Sequence, residues 1–194
     1  LSPPSRPLSR ALSLPEPFVL LPGTSGLGTY KNPELLATAL DHPQLKQLHL
    51  LISGLDAQRH GEALAQRFPH LQGRWQAIGC TDVELAELYR RALAVVIPSR
   101  IEGFGLPVLE ALLSGGMVLI AESRGLREAG GGAAMRFRAD APDQLSALLV
   151  MLLDRPSAAW LKPLLTKRRH ERLNQLRPGC LGLAVLAMAR SCSD

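Results

Sequence analysis

Residues 94–116 place a short apolar run directly before a loop with two glycines and a helix that starts with proline. The run from Ala94 to Pro98, AVVIP, is β-branched and apolar, as is typical of a buried parallel strand. Pro107 suits the first turn of a helix, where its missing N–H costs nothing. The sequence therefore predicts a strand, a loop over 99–106 and a helix over 107–114, the unit from which α/β sheets are built.

The loop between this strand and helix has the features of a phosphate-binding turn. Gly103 and Gly105 lack a Cβ atom, so a ligand can approach the backbone N–H groups of the loop closely. Those groups lie at a helix N-terminus, which carries a partial positive charge. We expect a phosphate to accept hydrogen bonds from the backbone amides of Gly103, Phe104, Gly105 and Leu106.

Two carboxylates, Glu102 and Glu110, flank the loop eight positions apart. Both can face one crevice at the carboxyl end of the strand, where open α/β sheets bind ligands. A carboxylate accepts two hydrogen bonds from vicinal hydroxyls, so one glutamate would hold a ribose diol and the other a hexose hydroxyl. Either glutamate alone is better explained as a solvated charge. The loop between them reverses that preference.

The segment from Glu102 to Gly116 resembles the E-x7-E signature of the family 4 retaining glycosyltransferases. In that family the signature carries P-x-L-E-A and a small-residue turn, matched here by residues 107–111 and 114–116. Residues 17–40, 79–99 and 126–156 are similar to the family's opening, central and closing segments. The resemblance covers residues 17–156 and extends to the order and spacing of the segments.

The resemblance implies the carboxyl-terminal, donor-binding half of a GT-B enzyme, with a Rossmann-like doubly wound parallel sheet and helices on both faces. It implies transfer of a hexose from a UDP-, GDP- or ADP-sugar to a glycan or lipid-linked acceptor with retention, as in polysaccharide biosynthesis. No cofactor is expected. The 194 residues suffice for one such domain. The acceptor-binding domain is expected upstream, so the isolated domain is expected to be inactive.

The resemblance also implies roles for individual residues. Lys31 matches the basic residue that reaches the donor diphosphate, and Lys31 and Glu102 are the expected catalytic residues. Gly23 and Thr24, which follow the first strand, are expected to contact the donor, and Thr24 stands where many members carry arginine directly after the glycine. Gly79 matches the turn where members hold the base. By the same resemblance, Glu110 binds the ribose diol and Glu102 the donor hexose.

Strand and helix patterns alternate along the rest of the chain, as in a doubly wound sheet. Further strands are predicted over 18–21, 48–52, 75–78, 117–121 and 134–137, and further helices over 57–68, 126–129 and 142–153. Thr81 to Glu84 form a capping box, and Asn32 is expected to cap the helix that Pro33 begins. Residues 1–16 are interpreted as a linker, 17–156 as the nucleotide-sugar-binding domain and 157–194 as a C-terminal helical segment.

The spacing of the cysteines and histidines and the hydropathy pattern argue against several classes of protein. Cys80, Cys180 and Cys192 show no C-x-x-C spacing, and the five histidines are scattered, so neither a disulfide framework nor a bound metal is expected. The apolar run over 180–189 is too short to cross a bilayer, and there is no signal-peptide pattern. A cytoplasmic protein is predicted, at the inner face of the membrane if the full enzyme makes peripheral contact.

The net charge of +5 raises the question of an anionic partner. Nucleic acid is not expected, because the basic residues lack interleaved aromatic side chains or a recognisable nucleic-acid module. The densest basic cluster lies on a predicted helix near the end of the chain and comprises Lys167, Arg168, Arg169 and His170 with Arg172 and Arg177. A solvated helix face is favoured there over contact with anionic lipid headgroups or an acidic partner.

Two other classes of protein fit parts of the pattern. The first is a non-catalytic module that binds a sugar nucleotide or regulates another protein, and a longer reading frame upstream of Leu1 would argue against it. The second is an enzyme of related fold. A sugar-nucleotide epimerase would need acids and histidines from a second domain, and a glycan phosphorylase would need a lysine for pyridoxal phosphate that the sequence does not reveal.

Overall fold

The computed structural model describes residues 14–23 and 26–176, and these form a parallel sheet flanked by helices. The strands are β1 (Phe18–Pro22), β2 (His49–Ser53), β3 (Trp75–Ile78), β4 (Ala94–Ile97), β5 (Val118–Ala121) and β6 (Met135–Phe137). The helices are α1 (Pro33–Ala39), α2 (Ala57–Arg67), α3 (Asp82–Arg91), α4 (Leu106–Ser114), α5 (Arg124–Gly130), α6 (Pro142–Leu153) and α7 (Arg155–Gln175). Short 3₁₀ turns cover Pro43–Leu45 and Pro69–Leu71.

The six strands lie in the order β3-β2-β1-β4-β5-β6, and every pair is parallel. Strands β2 and β3 therefore follow β1 on one side of the sheet, and β5 and β6 follow β4 on the other. Because parallel crossovers are right-handed, this reversal places α1 and α2 on one face and α4 and α5 on the other. The predicted doubly wound, Rossmann-like fold is confirmed. Strands β1, β4 and β5 are buried along their whole length, as expected of a sheet covered on both faces.

The predicted strands and helices are all present, and their bounds differ from the prediction by two residues or fewer. The capping box also forms: Glu84 N donates to Thr81 Oγ1 at 3.3 Å, and Thr81 N donates to Glu84 Oε2 at 2.9 Å. Hydrophobic periodicity and caps are local signals, which explains why the sequence alone located these elements.

The prediction that the Asn32 side chain caps α1 is wrong. Asn32 precedes the helix in a left-handed conformation with φ of 54°, and its side chain makes no capping bond. Its Nδ2 instead donates to Pro98 O at 3.2 Å and to Ala139 O at 3.0 Å. The loops after β4 and β6 bring these two carbonyls to the start of α1, and the side chain satisfies them rather than its own helix.

Part of the basic cluster on α7 is not a solvated face. Arg172 Nε donates to Ala129 O at 3.1 Å, and its Nη2 donates to Glu128 O, so this guanidinium closes the carboxyl end of α5. Positive charge at that end of a helix is stabilising. The expectation of a solvated side chain is wrong for Arg172 and correct for Lys167, which is exposed.

None of the described helices combines the length and apolar character needed to span a bilayer.

Candidate functional site

The reversal of strand order between β1 and β4 creates a crevice at the carboxyl ends of these strands. The connections leave β1 and β4 towards opposite faces, so their loops separate there, and open α/β sheets bind ligands at this position. Gly23 follows β1 with φ of 57°, and its N–H donates to Ser53 O at 2.9 Å, at the end of β2. The loop after β1 thus begins with a turn that few residues other than glycine adopt.

The two predicted catalytic residues meet in this crevice. Lys31 Nζ lies 2.6 Å from Glu102 Oε1, and the two side chains are 18% and 12% exposed. Lys31 Nζ also lies 5.4 Å from the centre of the Tyr30 ring. The backbone joins the same two loops, because Arg100 N donates to Tyr30 O at 2.8 Å. The arrangement holds a cation at the mouth of the crevice with one carboxylate beside it.

Asn32 lies directly after Lys31 and helps to fix the loops that carry this pair. The sequence did not reveal this role. Asn32 is 4% exposed, and its amide joins the loops after β4 and β6 to the residue directly after Lys31. Arg100 Nη2 donates to Asn32 Oδ1 at 3.4 Å. Asparagine tolerates the left-handed conformation better than most residues, so an asparagine before a proline is a signal for this conformation, although the same pattern also predicts a helix cap.

The glycine loop presents open backbone beside the pair. A Cβ atom on Gly103 would meet nothing within 4 Å, whereas one on Gly105 would lie 3.0 Å from the Ala129 Cβ at a φ of 70°. Gly105 is therefore required by packing, and Gly103 faces open space. Within the described residues, the backbone N–H groups of 103–106 donate no hydrogen bond. These four groups remain available to an anion.

Gly125, near the start of α5, supports the loop and was also missed by the sequence analysis. A Cβ atom on Gly125 would overlap the carbonyl oxygens of Glu102 and Gly103, and would lie 2.6 Å from the latter. The helix therefore touches the backbone that carries the Glu102 carboxylate. In the sequence Gly125 lies directly before the predicted helix over 126–129, and a glycine between a strand and a helix was the available signal for such a close approach.

Glu110 belongs to a second cluster, formed by α4 and α3. Tyr89 Oη donates to Glu110 Oε2 at 3.0 Å. Burial raises the pKa of Glu110, the Tyr89 hydrogen bond lowers that pKa, and the Asp82 carboxylate raises it, with a net upward shift. Burial and the neighbouring Glu110 raise the pKa of Tyr89 well above its usual range, so the phenol keeps its proton and donates. The Glu110 carboxylate is thus fixed on one side and half-buried.

The turn between β3 and α3 lies next to this second cluster. A Cβ atom on Gly79 would meet nothing within 4 Å, so this backbone faces open space. Burial, with the charges of Glu84 and Asp82, raises the pKa of the neighbouring Cys80 to about 11, and its thiol is neutral. The turn thus offers an open backbone near Glu110, with the Asp82 and Glu84 carboxylates close by. Thr24 lies outside the described residues.

Exposed apolar side chains surround the crevice. They follow β1, β2 and β4 and include Leu27, Tyr30, Leu55, Ile101, Phe104 and Leu106. Leu55 is 86% exposed and Ile101 is 71% exposed. Large apolar residues grouped at one edge are typical of a surface that another protein domain or a ligand covers.

A cavity of about 870 Å³ lies at the opposite, amino edge of the sheet, against α7. Its lining includes Pro17, Leu93 and Met117, each of which directly precedes a strand. It contains none of the predicted site residues, and ligands of open α/β sheets bind at the carboxyl edge instead. Among the described residues, no group of three or more histidine, cysteine or acidic side chains is placed to hold a metal ion.

Comparison with known proteins matches most of the chain. The family model for glycosyl transferases group 1 matches residues 10–157. An 81-residue segment is 41% identical to the MMP alpha-(1->4)-mannosyltransferase of Mycolicibacterium hassiacum, over 40% of this chain and 20% of that protein.

Solved structures match over nearly the whole chain. Sucrose-phosphate synthase from Thermosynechococcus elongatus superposes with a TM-score of 0.68 and 26% identity, over 92% of this chain and 46% of that one. A glycosyltransferase from Rickettsia africae superposes with a TM-score of 0.65 and 19% identity, over 92% and 48%. The chain thus spans less than half the length of these proteins.

Proposed function

The chain belongs to the glycosyl transferases group 1 family, and we propose that it binds the nucleoside diphosphate sugar donor of a two-domain, retaining hexosyltransferase. The observation that carries the proposal is the Lys31–Glu102 pair in the crevice between β1 and β4. One cation and one carboxylate lie there side by side, next to a glycine loop with available backbone N–H groups. A diphosphate joined to a polyol needs this combination of groups.

The chemistry assigned to these groups is electrostatic stabilisation of the leaving group. As the bond between the anomeric carbon and the diphosphate oxygen lengthens, negative charge grows on the diphosphate. The Lys31 ammonium and the amides of residues 103–106 would stabilise that charge, and groups already fixed in place need no reorganisation during the reaction. Glu102 would accept hydrogen bonds from hydroxyls of the hexose, which is next to the diphosphate in the donor.

The second cluster is assigned to the nucleoside. Glu110 would accept hydrogen bonds from the ribose hydroxyls, and the open backbone at Gly79 would lie along the base. The Asp82 charge acts on Glu110, and Asp82 starts the helix that follows the Gly79 turn, which supports a continuous nucleoside site. A hexose donor is supported by the mannosyltransferase relative. Retention, the absence of a cofactor and a cytoplasmic location stay predictions.

A facing, acceptor-binding domain is part of the proposal. The chain spans less than half of the solved relatives. Among its described residues, six of the eight exposed large apolar side chains follow β1, β2 and β4 at the carboxyl edge of the sheet, the other two being Trp160 and Leu164 on α7. Ile101 and Phe104 on this rim are 71% and 41% exposed. A second domain that closes over the donor would cover them and would bring the acceptor to the anomeric carbon.

Thermal denaturation with a panel of donors tests the proposal. UDP-, GDP- and ADP-sugars are each added to the purified chain, and a ligand at 100 times its Kd should stabilise the folded state by about 2.7 kcal/mol. One base should be preferred, and no transfer to acceptors should occur without the facing domain. A melting temperature that no millimolar donor changes would overturn the proposal. A non-catalytic module would instead bind the donor and still transfer nothing once the facing domain is joined.

A further inference from the structure

Tyr89 lies at the centre of the contact between α3 and α4. The residue is 1% exposed, and its hydroxyl donates to Glu110 Oε2 at 3.0 Å. We propose that Tyr89 is a positioning residue, whose hydroxyl holds one oxygen of the Glu110 carboxylate so that the other oxygen is directed to the ribose diol of the donor. This inference rests on the proposed function, in which Glu110 binds the ribose.

The position of Tyr89 itself is tightly fixed. A Cβ atom on Gly116 would lie 2.6 Å from the Tyr89 carbonyl oxygen, so the end of α3 touches the turn that follows α4. The ring of Tyr89 is packed in the hydrophobic core. One residue thus contacts α4 through its hydroxyl and the turn after α4 through its backbone. A carboxylate held from this point has little freedom to rotate.

A packing role alone does not explain the hydroxyl. Phenylalanine would fill the same core volume without burying a polar atom, and a buried tyrosine hydroxyl needs a hydrogen-bond partner. The partner here is a half-buried carboxylate rather than a backbone carbonyl or water. Holding a ligand-binding group in its productive orientation before the ligand arrives reduces the entropy lost on binding.

The same hydrogen bond helps to keep Glu110 ionised. Burial and the Asp82 carboxylate raise the pKa of Glu110, and the Tyr89 hydroxyl opposes both. Cys80 and Asp82 are the other titratable groups that act on Tyr89. Since an ionised carboxylate accepts hydrogen bonds with both oxygens, the proton on Tyr89 preserves the form of Glu110 that a diol requires.

Tyr89→Phe tests the proposal, because it removes the hydroxyl and keeps the ring. The probe is the nucleoside diphosphate that the donor panel prefers, measured by calorimetry beside its 2′,3′-dideoxy analogue. The ribonucleotide should bind about three- to tenfold more weakly, the range for one hydrogen bond. The dideoxy analogue should bind as it does to the wild type. Because both ligands are measured on one variant, a general loss of stability affects both equally and cancels in their ratio.

A second variant makes the result specific to orientation. In Glu110→Gln, the Tyr89 hydroxyl donates to the amide oxygen and leaves the NH₂ group towards the diol. Adding Tyr89→Phe frees the amide to rotate and present its oxygen. Tyr89→Phe should therefore weaken ribonucleotide binding when Glu110 is present and strengthen it, by about two- to threefold, in the Glu110→Gln background.

The pH dependence gives an independent readout. Protonation of Glu110 should reduce the ratio of ribonucleotide to dideoxynucleotide affinity, and phosphate titration cancels in that ratio. Without the Tyr89 hydrogen bond the pKa of Glu110 rises, so in Tyr89→Phe the ratio should fall at a higher pH than in the wild type.

The outcomes separate the two hypotheses. If Glu110→Gln leaves the ratio unchanged, the ribose role of Glu110 fails and the proposed site fails with it. If Glu110→Gln lowers the ratio but Tyr89→Phe does not, or if Tyr89→Phe weakens both ligands equally, Tyr89 only packs. Positioning is supported if the ratio of ribonucleotide to dideoxynucleotide affinity is lower in Tyr89→Phe than in the wild type. The same ratio must then be higher in the double variant than in Glu110→Gln alone.

Discussion

Lys31 Nζ lies 2.6 Å from Glu102 Oε1, although the two residues are 71 positions apart in the chain. Both belong to loops that follow the two strands between which the sheet reverses its order. A cation that binds phosphate here must therefore act next to a carboxylate that already neutralises part of its charge. This relationship determines what substitution of either residue should do.

Lys31→Ala should weaken binding of a nucleoside diphosphate by about 10-fold or more, because a charge-assisted contact to phosphate is lost. Binding of the matching nucleoside should be nearly unaffected. Isothermal titration at low and high salt measures both ligands. The wild-type affinity should fall with salt more steeply than that of the variant. Lys46→Ala, which removes an exposed lysine outside the crevice, is the matched control. Equal losses for nucleoside and nucleoside diphosphate would contradict the phosphate role.

Glu102→Gln should have opposite effects on two ligands. Without the carboxylate, the Lys31 charge is no longer neutralised, so a nucleoside diphosphate should bind about two- to fivefold more tightly. The extra affinity that the hexose gives to the intact donor should be reduced, because a carboxylate acceptor is lost. Competition binding measures the affinity of the intact donor relative to that of the nucleoside diphosphate. A variant that binds both ligands as the wild type does would exclude Glu102 from the sugar site.

Gly103→Ala and Gly125→Ala should differ in what they change. A methyl group on Gly103 meets open space, so the melting temperature should stay constant, while approach of a diphosphate is hindered and affinity falls about tenfold. A methyl group on Gly125 overlaps the backbone of the loop, so this variant should lose both stability and affinity. Thermal denaturation and titration of the same samples compare the two. Unchanged donor affinity in Gly103→Ala would place the diphosphate elsewhere.

Asn32→Gly should lower the free energy of unfolding by about 1 to 3 kcal/mol, since two mostly buried hydrogen bonds are lost while the left-handed backbone remains accessible. Asn32→Ala should cost about 1 kcal/mol more, because alanine is strained at a φ of 54°. Urea denaturation measures both values. Equal stability of the two variants would show that the left-handed conformation does not persist in solution.

Glu110→Gln should raise the melting temperature at pH 7. The folded-state pKa of Glu110 is raised, so the folded protein holds this proton more tightly than the unfolded chain does. Stability then falls as pH rises from the ordinary value of 4.5 through the folded-state pKa, and the full cost remains at higher pH. Denaturation scans from pH 4 to 8 should show the variant's advantage growing across that window. An advantage independent of pH would not come from the buried charge.

The amino-acid sequence alone determined the secondary-structure elements and the identity of the loops that carry the candidate site. Apolar periodicity located the six strands, Thr81 and Glu84 formed the predicted capping box, and the glycine loop before Pro107 lies at the carboxyl end of β4. These are properties of neighbouring residues in the chain. Backbone sterics, hydrophobic periodicity and local hydrogen bonds decide them without reference to distant segments.

Only the tertiary structure decided which side chains meet. Asn32 bonds carbonyls after β4 and β6 rather than its own helix, and Arg172 closes α5 instead of facing water. Helical spacing with Leu85 and Leu88 predicts only a core position for Tyr89, whereas its hydroxyl has a partner because α4 packs against α3. A side chain takes the acceptor that strand order and helix packing bring within about 3 Å, and many side chains in a sequence could satisfy that short-range requirement.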